Sequence, residues 1–403
     1  MYELSSRISK VLATLTQFDG PELRPEALRD ISRGVIRLSE MFTRGRSGIG
    51  TGYLEDAQLR QAYLAYYVPV NLAKVQILLA ELQPLLAEHK GKEFRVLDVG
   101  GGPGTGALAL VDWACSTSAP PPGTLRMTVM DRSGAALRGC TELWQSYIAD
   151  VPECRNLPLQ TVECNLEGTF PIPLQAGTQA PGYHLIVVQN VLSELYSESL
   201  GAAEKRVALV AKLLSALEED GSLMLIEPAL RATSRGLHEL RNQLLGHYEC
   251  SVYSPCLHDE NCPALVRQDD WCHEERNWER PAWVAQLDEA VGFIKDTVKF
   301  SYVVFRKDGK TLVPRNAPSH RVVSELRVMK GEKRVWLCDS VGRSEVGRQD
   351  KDRSQSNAAF EQFHRGAIVK IGDIVRKERK GKISTLGRIL PTGTAEIIRP
   401  AQN

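Results

Sequence analysis

Long hydrophobic runs are missing from this chain of 403 residues: none approaches the eighteen or so uncharged apolar residues that a membrane-spanning helix needs. The opening segment, MYELSSRISKVLATLTQFDG, has neither an apolar core ending in a small-residue cleavage site nor an Arg-rich, acid-free transit pattern. No membrane association is expected, and a cytoplasmic protein is the default. Net charge is also scarce, at +1. The nine cysteines are an odd number without an export signal, which speaks for reduced thiols and against a disulfide framework. What is present, 43% hydrophobic and 25% charged residues, describes a soluble chain long enough for two or three domains, expected as a monomer.

The near-zero net charge hides an asymmetry. From Ser301 onward there are 22 Lys and Arg against 11 Asp and Glu, a local +11 that leaves about −10 for the rest. That end of the molecule is suited to a polyanion.

From Ser5 to about Glu88 apolar residues recur at intervals of three and four, as in Tyr63, Leu64, Tyr67, Val70, Leu72, Val75, Leu78, Leu79 and Leu82, the stripe of amphipathic helices. Within this stretch FTRGRSGIGTGYL, carrying Arg44 and Arg46, reads as a surface connection. Tyr53, Tyr63, Tyr66 and Tyr67 have helical spacing and are expected to be packing residues rather than a base-stacking platform.

Past Lys92 the character changes. FRVLDVGGGPGTGALALVDWA reads as a buried strand, a glycine-rich turn and a helix; TLRMTVMDRSGAAL, LPLQTVECNLEG, YHLIVVQNVLSEL and GSLMLIEPAL supply further strands. Alternation of this kind predicts a doubly wound parallel sheet with its ligand at the carboxyl ends of the strands. Gly100, Gly102 and Gly104 would let the backbone approach a ligand closely, with Asp98 beside them. Asp131, 33 residues after Asp98, ends the second strand, where an acid can accept hydrogen bonds from ribose hydroxyls. A glycine turn alone would also serve NAD. The form V-L-D-V-G-G-G-P-G-T-G resembles motif I of class I S-adenosylmethionine methyltransferases, in which the acid and glycines face the methionine and ribose. Asn190, after the fourth strand, completes the expected cofactor-binding set.

Fold does not give reaction. After the fourth strand stands QNVLSEL, with Asn190 and Glu194, but neither an Asn/Asp-Pro-Pro-aromatic stretch nor a nucleophilic cysteine. Cys164, in VECNLEG, is expected as a buried strand residue. No catalytic residue can be named.

Four cysteines and two histidines crowd YECSVYSPCLHDENCPALVRQDDWCHEERN, residues 248–277. Cys250, Cys256, Cys262 and Cys272 have the spacing C-x5-C-x5-C-x9-C. Four thiolates from short loops suit tetrahedral zinc or an iron–sulfur cluster, and the spacing, which is not that of a zinc ribbon, leaves the metal open. His258 and His273 are either further ligands or supporting groups.

PCLHDENCP followed by DWCH, with YLEDAQLRQAYLAYYVPVNLAKVQILLAEL upstream and IEPALRATSRGLHELRNQLL between, is similar to the methyltransferase-like family of small-ribosomal-subunit assembly factors of mitochondria and bacteria, over roughly residues 25 to 380. The resemblance implies a [4Fe–4S] cluster on Cys256, Cys262 and Cys272 and a fourth cysteine from a β-rich tail; zinc, which the residues alone also allow, stays the alternative. Cys338 is the only cysteine downstream, so the resemblance favours it over Cys250. A site closed by Cys338 would staple the basic tail to the core.

The expected architecture is α/β: a helical N-terminal domain (1–90), a class I methyltransferase-like Rossmann core (91–246), a cysteine-rich metal-binding insertion (247–300) and a small basic, β-rich, OB-like C-terminal domain (301–403). Arg376, Lys377, Arg379, Lys380 and Lys382 are expected in a phosphate-facing loop. The expected function is a maturation factor that binds small-subunit rRNA and ribosomal proteins and holds S-adenosylmethionine. The alternative is an active rRNA methyltransferase; a small-molecule methyltransferase with a zinc knuckle fits the basic tail poorly. The place would be the bacterial cytoplasm, or the mitochondrial matrix in a eukaryote.

Overall fold

The computed structural model describes residues 2–16, 22–43, 52–89, 93–168, 182–197, 199–379 and 381–401. Arg44, Arg46 and Lys380 lie outside these, and of Arg379 and Lys382 only the backbone is described. The chain forms two compact units, one of residues 1–227 and 276–298, the other of 228–275 and 299–402.

In the first unit the expected helical stripe becomes α1 (Ser6–Leu15), α2 (Pro25–Thr43), α3 (Ala57–Ala62) and α4 (Val68–Leu86), with a short strand β1 (Tyr2–Glu3) ahead of them. A π-helical turn, Tyr63–Tyr67, joins α3 to α4 without a break. The continuous helix Ala57–His89 is, by length and composition, apolar enough to cross a membrane, although Lys74 and Glu81 interrupt its apolar run. Its most apolar window is 78% buried inside the protein, which marks it as a core helix.

The sheet follows as β2 (Phe94–Val99), α5 (Thr105–Thr117), β3 (Leu125–Asp131), α6 (Gly134–Ala149), β4 (Leu159–Glu163), β5 (Tyr183–Gln189), α7 (Ala202–Ser215) and β6 (Leu217–Pro228). All five strands are parallel, in the order β6-β5-β2-β3-β4. The order reverses between β2 and β5, the point at which doubly wound sheets hold their ligands, outside the carboxyl ends of the strands. Val96, Leu97, Val99, Leu185, Ile186, Val187 and Val188 are nearly inaccessible, as expected for strands covered on both faces.

The second unit holds α8 (Arg231–His247) and β7 (Ser251–Ser254). Two strands, β8 (Glu274–Glu279) and β9 (Thr297–Arg306), carry the chain across the division on either side of α9 (Ala282–Val291). β1 pairs with the part of β8 in the first unit, and β7 with the part of β9 in the second.

The basic tail builds β10 (His320–Val322), β11 (Arg327–Met329), β12 (Glu332–Cys338), β13 (Arg343–Gln349), a 3₁₀ helix Gln355–Gln362, β14 (Ile368–Arg379) and β15 (Lys382–Arg399). β10 pairs with both β12 and β14, β12 with β13, β14 with β15, and β13 runs parallel to β15. These pairings close a five-stranded barrel in the order β10-β12-β13-β15-β14, the OB arrangement, with β11 as an added edge on β12. Val322, Val335, Leu337, Val346, Phe360, Phe363, Val369 and Ile389 fill it.

Candidate functional site

The glycine turn follows β2 as motif I predicts. Gly100, Gly102 and Gly104 adopt φ of +63°, +53° and +80°, a region that penalises any Cβ. Space is short as well: a Cβ on Gly104 would stand 2.4 Å from Cys140 Sγ, and one on Gly100 2.4 Å from Val191 Cγ2.

Asp98 is placed differently from its expected position facing a ligand. Its carboxylate lies under the turn, 2% exposed, and accepts the Ala107 N–H at 3.1 Å, so it caps the start of α5. Burial pushes it up to about 7, despite backbone hydrogen bonds from Ala107 and Gly106 that pull the other way. Any Cβ on Gly106 would come within 2.8 Å of this carboxylate, which accounts for the last of the motif's five glycines.

Asp131 ends β3 as expected. Its Oδ2 accepts the Gly102 N–H at 2.8 Å and its Oδ1 the Ser133 N–H at 2.9 Å. Each carboxylate oxygen has a second lone pair, so the group can hold the turn and still accept from a ligand hydroxyl. Burial raises its affinity for a proton. Asn190 follows β5 with φ +58° and its N–H on the Ile226 carbonyl at 2.8 Å; its side-chain Oδ1 is buried without a hydrogen-bond partner among the described residues.

Sequence reasoning missed three contributors. Glu227, at the end of β6, accepts the N–H groups of Leu192 and Ser193 at 3.0 and 3.3 Å and so shapes the loop after Asn190. Glu55 accepts from Ser133 Oγ at 2.7 Å, while Leu54 comes within 3.7 Å of where a Gly102 Cβ would lie. The segment before α3 therefore lies against the glycine turn. Tyr53 and Tyr63 come near enough that Glu194 and Asp131 raise both hydroxyls, burial being the larger cause. They belong to one aromatic cluster with Phe42 and Tyr67, ring centroids 5.2–6.5 Å apart, whereas Tyr66 turns inward to Asp288 Oδ1. Cys164, expected inside a strand, stands just past β4 and is half-buried.

All five candidate cysteines lie in the second unit. Burial, then the charges of Cys272 and Cys256, and more weakly that of Cys262, hold the Cys338 thiol well above its usual range, while Arg343 opposes them. Burial and Cys262 likewise push up Cys256. Cys250 is pushed up to about 11 by burial and Asp259. Cys256, Cys262 and Cys272 thus each act on Cys338, and Cys262 on Cys256. No group of three or more His, Cys, Asp or Glu among the described residues is arranged to hold a metal ion. The surroundings are cationic. Arg241, fully buried, donates to the carbonyls of His258 and Glu260 at 2.7 Å; Arg315 donates to the Cys256 carbonyl at 3.3 Å; Arg343 pairs with Asp270 at 2.5 Å. His258 is held down to about 4 by burial and by Arg241 and Arg315, and His273 pairs with Glu275 at 3.0 Å.

In the barrel, several of the tail's arginines are spent internally: Arg348 on Glu361, Arg334 and Arg388 on Glu332, Arg327 on Glu345. Arg376, expected to face phosphate, donates to the carbonyls of Ser384 and Thr385 and braces the β14–β15 hairpin. Lys370 and Lys377 are exposed.

Among solved structures the chain is similar to the plantazolicin methyltransferase BpumL bound to SAH, at 10% identity and TM-score 0.37, over 68% of this chain and 98% of that one. It is also similar to the mitomycin 7-O-methyltransferase MmcR, at 14% identity and TM-score 0.36, over 75% and 73%. An rRNA methylase from Streptococcus thermophilus matches at 13% identity and TM-score 0.30, over 56% and 93%. The strand order and the glycine turn, rather than these likenesses, establish the class I methyltransferase fold. No curated protein matches the chain significantly. The family model for the mitochondrial small ribosomal subunit protein Rsm22 matches residues 57–361, well over half of the sequence, and the chain belongs to that family.

Proposed function

We propose that this protein is a maturation factor of the small ribosomal subunit that binds rRNA and ribosomal proteins through its basic OB-like barrel and holds S-adenosylmethionine at the carboxyl ends of β2, β3 and β5. One observation carries the preference for binding over chemistry. Asp98, Asp131 and Glu227, the acids at the carboxyl ends of β2, β3 and β6, each accept backbone N–H bonds and so hold loops in place. A second reading, methyl transfer to rRNA, is favoured by Asn190, whose Oδ1 is buried and free of partners among the described residues. In a eukaryote the place of action would be the mitochondrial matrix, as the family's description suggests.

Cys256, Cys262, Cys272 and Cys338 are the proposed holders of an iron–sulfur cluster, with zinc as the alternative. Support comes from the charges that Cys256, Cys262 and Cys272 exert on Cys338, and from Arg241 and Arg315 acting on Cys256 and Arg343 facing Cys272 and Cys338, which suit a group whose sulfur ligands are anionic. When bound, such a group supplies a covalent joint between the segment 256–272 and the end of β12. Because all four thiols lie in one unit, the joint would be made within that unit, rather than between tail and core.

The test is protein purified without oxygen, alone and with small-subunit particles. About four iron and four sulfide per chain, lost in Cys338→Ala and retained in Cys250→Ala, are expected. Co-sedimentation with the particles and no transfer of labelled methyl groups are also expected. Label appearing in small-subunit rRNA would establish the methyltransferase reading instead; one zinc, or loss with Cys250→Ala, would overturn the cluster assignment.

A further inference from the structure

Away from both sites, two cysteines of the first unit touch. Cys115 lies in the last turn of α5, and Cys154 ends the 3₁₀ turn Pro152–Cys154. Their sulfurs are 3.0 Å apart. Cys154 is fully buried and Cys115 half-buried, so only Cys115 is open to a reagent.

The surroundings favour a reactive thiolate at Cys115. The Cys154 thiol hydrogen-bonds to it, and Tyr147 and the Arg7 cation add to the effect; together they draw Cys115 below its ordinary value against burial and the charge of Asp112. Asp112 is itself occupied, accepting from Tyr147 at 2.9 Å, Ser5 at 2.6 Å and Gln76 at 2.9 Å. Cys154 moves the other way, raised by Cys115 and by burial, with Glu153 adding to this and Arg7 opposing. An accessible thiol in direct sulfur contact with a buried one is the arrangement of a reversibly oxidised cysteine pair.

We propose that Cys115 and Cys154 are a thiol–disulfide exchange site for low-molecular-weight disulfides of the glutathione class. The Cys115 thiolate attacks one sulfur of the small disulfide; a Cys115–S–S–R bond forms, the R–S–S–R bond breaks, and RS⁻ leaves with the electron pair. Cys154 then gives its proton to a released RS⁻ and attacks the Cys115 sulfur. The protein disulfide forms, a second RS⁻ departs and takes up a proton from water, and the two protein thiols have been oxidised while one small disulfide has been reduced to two thiols. The bridge closes a loop spanning 39 positions that contains β3 and α6, and with them Asp131. Such a cross-link constrains the unfolded chain, so the oxidised form should melt higher.

The experiment incubates the full chain with oxidised glutathione, blocks free thiols, and maps peptides by mass spectrometry with fragmentation that separates Cys154 from Cys140. The expected result in the wild type is a Cys115–Cys154 bridge, reversed by reduced glutathione, with a rise in melting temperature. In Cys154→Ser the glutathione adduct should accumulate on Cys115, trapping the intermediate. Absence of the bridge in the wild type, a bridge between other cysteines in its place, or no adduct on Cys115 in Cys154→Ser would each overturn the proposal. The wild-type map needs no variant to fold.

Discussion

The Asp131 carboxylate and the Gly102 amide, 29 positions apart, are joined by a 2.8 Å hydrogen bond. Through it the end of β3 fixes the glycine turn, so the residue expected to receive ribose hydroxyls also shapes the loop. In Asp131→Asn one oxygen becomes a donor, and either the turn or the ligand is deprived of its acceptor. S-Adenosylmethionine affinity by calorimetry should fall about 10- to 100-fold, the worth of a hydrogen bond to a charged group. An unchanged affinity would remove Asp131 from the cofactor site.

Gly104→Ala meets two obstacles, φ of +80° and Cys140 Sγ at 2.4 Å. The expected loss is about 1–3 kcal/mol in urea unfolding. Adding Cys140→Ala should recover the part due to the clash and leave the backbone part, so the two changes should not sum. Additive losses would show that the sulfur gives way freely.

Asp98 carries a pH signature. Burial raises its folded value to about 7, above the unfolded carboxyl. The folded state therefore binds more protons between the two values, and stability falls as pH rises across that window. From about pH 4 to 7 the loss attributable to this group is of the order of a few kcal/mol, at 1.36 kcal/mol per unit. Asp98→Asn should flatten the slope of stability over that interval; an unaltered slope would mean the carboxylate is ionised in place.

For the barrel, Lys370→Glu with Lys377→Glu should weaken binding to small-subunit rRNA across sequences. The plot of log K against log salt should become shallower, by about 0.7 to 0.9 for each phosphate that is no longer neutralised. Equal slopes would move the RNA surface elsewhere.

The glycine turn was readable because its determinants are local: strand, φ-positive glycines and helix follow one another in a dozen residues. The basic surplus was readable as a total but not as a surface, since Arg348, Arg388 and Arg376 are consumed by partners far apart in sequence or by hairpin carbonyls. Glu55 and Glu227 were invisible for the same reason. An acid that caps a distant loop has no spacing signature. Strands β7 and β8 inside the cysteine-rich stretch were also missed, because turn-forming residues and cysteines mask the alternation in such short segments.

The parallel pairing of β13 with β15 has a consequence for how the barrel is made. β15 follows the other four strands in the chain and touches both β14 and β13, so during synthesis the ring cannot shut before it is complete. Until then β13 and β14 present open edges and the unfilled side of a hydrophobic interior. The order of translation thus imposes a waiting period on this domain, in which a nascent chain would depend on shielding from outside itself.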